Sequence, residues 1–257
     1  LGLEPPRFGH FPMIVNEKGK PYSKRDGDAY VGEFRDKGVL PEALFNFLAL
    51  CGWSPGDGRE LLTREEMVEA FSLERVSASA ARFDTDKLAW MNAQILRRLP
   101  KTELLGRMRE ALAAEGVEAD GLDPDWLERL IELHLPHVST LQEFVAATRF
   151  FFEDAPALQE KAVRKVLSKK DGRGLKTLAA LRPCLAALDG WEEGTLEQAI
   201  TEYAEANGLK MGDVAQPLRV AVTGGTVSRG IFDVLALLGR GQTLARIDRV
   251  LAKVEPA

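Results

Sequence analysis

The sequence predicts a mainly α protein, with short strands near its N-terminus and an all-helical region in two subdomains behind them. Three observations predict it. From Pro41 onward apolar residues recur at three- and four-residue spacing, not in alternation. Helix starts are marked by Pro41, by Asp123-Pro124, and by three Ser/Thr-x-x-Glu/Gln boxes at Thr63, Ser139 and Thr195. Helix stops are marked by Gly38, Gly52, Pro100, Gly116, Asn207-Gly208 and Gly239.

In chain order, Phe8–Asn16 is short and apolar and reads as a buried strand or extended segment. Gly19–Gly27 is a basic loop. Tyr30–Gly38 is a helical turn or two. The Pro41 helix puts Leu44, Phe45, Leu48 and Cys51 on one side, and the Thr63 helix runs to about Phe71. Asp84 caps a helix with the stripe Leu88, Met91, Ile95 and Leu99. A helix from Thr102 to Gly116 follows, then one with Leu127, Leu130 and Ile131 inside. The Ser139 helix carries Leu141, Phe144, Val145, Thr148, Phe151 and Phe152, an aromatic stripe that reads as core. Pro156–Lys169 is amphipathic, and Gly172 and Gly174 separate it from a helix with Leu178, Leu181, Leu185 and Leu188, in which Pro183 can kink the axis. After the Thr195 helix, Pro217–Thr223 is helical or extended and ends in a Gly224-Gly225 turn. Ser228 caps a helix to Gly239, and Thr243–Lys253 is the last. Breaks at Pro100 and Asp154-Ala155-Pro156 divide the chain into 1–100, 101–154 and 155–257.

Composition narrows the function. The chain has 257 residues, 45% hydrophobic and 28% charged, enough to fold around a core. Leu1, without a methionine and leading into Pro5-Pro6-Arg7-Phe8, reads as a cut inside a longer protein. Cys51 and Cys184 are far apart and lack Cys or His at metal spacing, so reduced thiols and a cytoplasmic location are expected. Apolar runs near ten residues are too short to span a bilayer, and no signal-peptide pattern is visible, so no membrane partner is expected. His134 and His137 lack the carboxylate pattern of a zinc site, and no metal site is expected. A net charge of −5 gives no global attraction to nucleic acid, so RNA contact would need local patches.

Two such patches stand out. Lys20, Lys24 and Arg25 lie in six residues beside Ser23, between Gly19 and Gly27. They are either the tip of a solvated hairpin or a phosphate-facing loop, since lysine suits phosphate as a point charge and arginine as a fork. Between residues 161 and 182 eight Lys/Arg face one acid, Asp171, with Lys161, Arg164, Lys165 and Lys169 on one helix face. That face is either solvated or RNA-facing. Arg97, Arg98 and Lys101 at a helix C-terminus have the same two readings, the first being interaction with the helix dipole.

Gly19-Lys20-Pro21-Tyr22-Ser23-Lys24-Arg25-Asp26-Gly27 resembles the second signature loop of class I aminoacyl-tRNA synthetases, as found in bacterial glutamyl-tRNA synthetases. The resemblance continues through Leu40–Asp57, Phe83–Asn92 and Pro217–Gly224. It implies that 1–100 is the end of a catalytic region plus a stem-contact domain with the ATP-phosphate loop, and that 101–154 and 155–257 are anticodon-binding subdomains. It implies a ligase that activates glutamate with ATP and Mg²⁺ and passes it to tRNA, acting as a monomer, with tRNA, glutamate and ATP as partners. Lys24 would draw charge from the ATP phosphates, Ser23 and Arg25 would hold the loop, and Lys20 would substitute for the family lysine matched by Pro21; Asp26 replaces a frequent His. The His-Ile-Gly-His signature and its sheet are absent, so this stretch alone is expected to be inactive and to need no cofactor. Arg219, Ser228, Arg229, Ile231 and Phe232 would lie at the anticodon, Ile231 and Phe232 being either base contacts or helix core. His137 stands where the family has an arginine that reads the third anticodon base. The second hypothesis is a non-catalytic helical module that kept the fold for RNA or protein interaction.

Overall fold

The computed structural model describes residues 5, 8, 10–25, 27 and 30–254, apart from the side chain of Lys170. Asp26 lies outside the described residues. Contacts group the chain into two compact units, Leu1–Ala119 with Leu135–Val145, and Asp120–His134 with Ala146–Ala257. Neither division falls at residue 100 or 154.

In the first unit, β1 (Ile14–Val15) pairs in parallel with β2 (Ala81–Arg82), Ile14 opposite Ala81. The strand expected over 8–16 shrinks to these two residues, and Phe8, Phe11 and Met13 are exposed. The ladder explains this: Met13, Ile14 and Val15 carbonyls receive Ala81, Tyr22 and Phe83 N–H groups, and no such bond reaches 8–12 among the described residues. α1 (Val31–Asp36) precedes α2 (Pro41–Leu50). The inner face of α2 is Ala43, Leu44, Asn46 and Phe47, while Phe45 and Leu48 are exposed. The expected stripe is thus rotated, because Phe47 meets Phe83 edge-on at 5.0 Å in a cluster with Phe34, Leu88 and Met91. The Thr63 box forms as expected and opens α3 (Arg64–Ala70), with Glu66 N–H on Thr63 Oγ1 and Thr63 N–H on Glu66 Oε2.

α4 (Thr85–Arg98) is capped by Asp84, whose carboxylate accepts from Lys87 N at 2.9 Å. Its buried face holds Leu88, Met91 and Leu96, and Ile95 and Leu99 are only half-buried. A fully buried Asn92 on that face accepts Leu40 N–H at 2.7 Å and donates to Ser139 O at 2.5 Å, joining the start of α2 to the turn after residue 138. α5 (Lys101–Ala114) follows. The box expected at Ser139 forms one residue later: Glu143 N–H donates to Thr140 Oγ1, and the Glu143 carboxylate takes Ser139 N–H.

The second unit starts with α6 (Pro124–His134), whose Leu127, Leu130 and Ile131 are buried as expected. α7 (Leu141–Thr148) begins among the residues of the first unit and runs into the second, where it ends in a 3₁₀ turn, Arg149–Phe152. Phe144 and Phe151 are core residues. The amphipathic helix expected over 156–169 is instead a single turn, α8 (Glu160–Ala162), followed by a π turn, Val163–Leu167. The widened turn sits where α9 (Lys169–Ala186) crosses so closely that a Cβ on Gly174 would collide with Val166 O. α10 (Glu193–Ala206) starts two residues before the Thr195 box, because Glu192 O already accepts Leu196 N–H at 3.0 Å. α11 (Met211–Thr223) carries Pro217 inside, and α12 (Ile231–Lys253) breaks at Gly239, where φ is 77° and ψ 162°.

Replacing Asn92 by Ala strands the buried Leu40 N–H, at a cost of about 1–3 kcal/mol. Denaturant unfolding should show a lowered midpoint with unchanged slope; an unchanged midpoint contradicts this role.

Candidate functional site

Short-range backbone bonding shapes the basic loop. Asn16 Oδ1 accepts both Lys18 N–H and Lys20 N–H at 3.0 Å, and Asn16 N–H returns to Lys20 O at 2.8 Å. Val15 bridges Pro21 in antiparallel fashion, so the hairpin continues through the proline and Tyr22 N–H reaches Ile14 O. Tyr22 is half-buried against Phe83 with ring centroids 4.6 Å apart. This anchors the loop on the same aromatic cluster that packs α2 and α4. Beyond the anchor, Ser23 Oγ accepts Arg25 N–H at 3.4 Å. Lys20, Ser23, Lys24 and Arg25 are all exposed, and among the described residues no carboxylate pairs with Lys20, Lys24 or Arg25. The loop therefore offers exposed cations on a fixed base, which suits an anionic ligand.

The second candidate lies between α11 and α12. Arg219 is half-buried, and its Nε donates to Ser228 Oγ at 2.9 Å. Burial pushes its pKa down from the ordinary arginine value, though an arginine stays charged. Ser228 in turn donates to Arg229 O at 2.9 Å. It is therefore not the helix cap expected from sequence; Gly230 occupies that position and the hydroxyl orients Arg219. The turn at Gly224 is left-handed, with φ 79°, and a Cβ there would collide with Ala157 O. Gln159 N–H donates to Gly224 O at 2.8 Å, so the loop rests on residues 157–159.

From this base the loop presents Val227, 83% exposed, and Arg229, half-buried and without an ion pair among the described residues. Phe232 is half-buried. Ile231, at 5% exposure, belongs to the core, which answers its two readings in favour of packing. Sequence reasoning missed Val227; the available signal was an aliphatic residue between Thr226 and Ser228, inside a turn that has no core to fill.

The basic face also survives the π turn. Lys161, Arg164 and Lys165 are exposed, as is Lys169, and none is in an ion pair among the described residues. In the first unit His137 is exposed in a 3₁₀ turn, Leu135–His137. Arg97 holds that turn, donating to the Leu135, Pro136 and Val138 carbonyls at 3.3, 3.1 and 3.5 Å. This is a structural use of Arg97 that neither sequence reading included. His134 is buried, with Nδ1 2.9 Å from Leu130 O and its ring edge-on to Phe151. Among the described residues no cluster of His, Cys, Asp or Glu could hold a metal ion, and no helix is long and apolar enough to cross a membrane.

Residues 94–251 match the family described as anticodon binding domain, and residues 1–90 match the catalytic domain of class I tRNA synthetases (E and Q). The chain is 40% identical to the glutamate–tRNA ligase of Syntrophobacter fumaroxidans over 99% of its own length and 53% of that protein's. It is also 40% identical to a glutamate–tRNA ligase of Thermus thermophilus, over 98% of this chain and 53% of the relative. The crystal structure of a glutamate tRNA ligase from Elizabethkingia meningosepticum, in complex with its amino acid, superposes with a TM-score of 0.84 at 29% identity, covering 99% of this chain and 53% of that one. The chain thus spans about half the length of the relatives it matches.

Gly224→Ala should combine a left-handed backbone penalty of about 1–2 kcal/mol with overpacking of about 1–3 kcal/mol. The thermal midpoint followed by circular dichroism should fall by several degrees. An unchanged melt would contradict the close seating of this loop on Ala157.

Proposed function

The chain belongs to the class I tRNA synthetase family that includes the glutamate–tRNA ligases, and on that premise we propose that it is the tRNA-gripping portion of such a ligase. One observation carries the reading. Arg219 is half-buried, aimed by Ser228, and stands beside a loop that also presents Val227, Arg229 and Phe232. That combination suits an unstacked base: a fixed guanidinium for a base edge or phosphate, and apolar surface for the ring face. Lys161, Arg164 and Lys165 add a cationic face of the kind that tracks a phosphate backbone. His137, displayed by the Arg97 clasp, is a further candidate for base contact. Residues 1–100 would then serve the catalytic and stem-contact side, and 101–154 and 155–257 the anticodon side.

In the whole ligase, ATP and glutamate would form an adenylate and the glutamyl group would pass to tRNA in the cytoplasm, the enzyme acting as a monomer. Lys24 and Lys20 would meet the negative charge that builds on the ATP phosphates. Ser23 would keep Arg25 in place through the backbone bond it already accepts. Mg²⁺ would arrive on the ATP phosphates, because the described residues offer no carboxylate cage for it. The chain's own chemical contribution is charge stabilisation and positioning.

Filter binding with a glutamate-accepting tRNA tests the reading. Arg219→Ala should weaken binding at least tenfold, and Ser228→Ala by a smaller factor, since it leaves the guanidinium present but unaimed. Affinity of the unsubstituted chain should fall steeply as salt rises. Equal affinity for Arg219→Ala and the parent chain would refute the assignment.

A further inference from the structure

The C-terminal end of α12 lines a cleft of about 290 Å³ that none of the roles above uses. Its lining is apolar at residues 155–158, Ala221 and Val250, and cationic at Arg246, Arg249 and Lys253. Spacings of three and four place these cations on one helix face. Among the described residues no carboxylate lines the cleft. Asp248, on the same turn, is committed to Arg182 through two bonds of 2.9 and 2.8 Å. Arg249 gives one N–H to Asp154 O at 2.9 Å and keeps its remaining donors. Arg246 is 2% exposed; its terminal nitrogens are engaged, while its Nε is buried with no partner among the described residues. Burial pushes the Arg246 pKa down; the Glu153 charge opposes this, the Arg249 charge adds to it and the Asp154 charge opposes it, with the net direction downward. Lys253 is exposed, without an ion pair among the described residues.

We propose that this cleft binds a phosphate group, taken by the Arg249 fork and the Lys253 point charge beside an apolar lining. Arginine and lysine together match the oxygens of a phosphate monoester or diester. The site is separate from the Arg219 loop but shares a support with it, since Ala157 both lines the cleft and seats Gly224.

Titration of the chain with inorganic phosphate at low salt, followed by calorimetry, tests this. Saturable binding is expected, weakened at least tenfold in Lys253→Gln with Arg249→Gln. Lys253→Gln alone, an exposed change at a helix end, should weaken it severalfold with an unaltered melting curve. Arg219→Ala should leave phosphate binding untouched, which separates this site from the proposed tRNA reading. Competition with a short oligoribonucleotide identifies the source: displacement assigns the cleft to RNA backbone, and persistence assigns it to a free phosphate or nucleotide. No saturable binding, or equal binding by parent and double variant, would overturn the proposal.

Discussion

Arg246 carries a full charge inside the helical unit, and among the described residues no carboxylate lies within ion-pair distance of it. Its guanidinium is met instead by carbonyl groups where secondary structure ends. Val222 O at the end of α11 accepts at 2.6 Å, Phe150 O in the 3₁₀ turn at 2.8 Å, and Glu153 O just after it, with the Gln242 amide oxygen at 3.1 Å. Helix C-termini are the negative ends of the backbone dipole and leave carbonyls without intrahelical partners. One buried cation therefore satisfies three backbone groups that would otherwise lie unpaired. It also fixes three chain segments about one point, and the loop bearing Ser228 and Arg229 begins just after α11 ends at Thr223. Where that loop stands relative to Arg219 depends on this contact.

The break in α12 works by the same logic. Gly239 leaves helical geometry, and carbonyls of the preceding turn take indole N–H groups: Trp126 donates to Leu237 O and Trp191 to Leu235 O, each at 2.8 Å. Arg240, just past the break, stacks over Trp191 with its guanidinium carbon 5.4 Å from the ring centroid, and bonds Leu188 O and Gly190 O. Polar tips of large side chains thus close the places where regular hydrogen bonding stops.

Much of this was legible in the sequence. The helices were visible because their apolar spacing and stop glycines agree, and the Thr63 box and Asp84 cap formed as written. The π turn at Val163–Leu167 was not, since no residue type encodes it; it sits where the next helix, α9, passes closely at Gly174. Phe45 and Phe47 were indistinguishable by type, and only the position of Phe83 decides which is buried. The Ser228 cap did not form because its hydroxyl accepts from Arg219 and donates to Arg229 O, whereas the Thr195 box lies inside α10, which begins at Glu193. The candidate cations could be named from sequence, but the aiming of Arg219 by Ser228 and the clasp of Arg97 on the His137 turn follow from tertiary contacts alone.

Amide hydrogen exchange of the chain with and without a glutamate-accepting tRNA tests the central claim most directly, because it reports where RNA rests without altering a residue. The account predicts slowed exchange over 223–232 and 161–169, on a scaffold around Arg246 whose exchange is slow in both states. Slowed exchange confined to other segments, with those two unchanged, would contradict it.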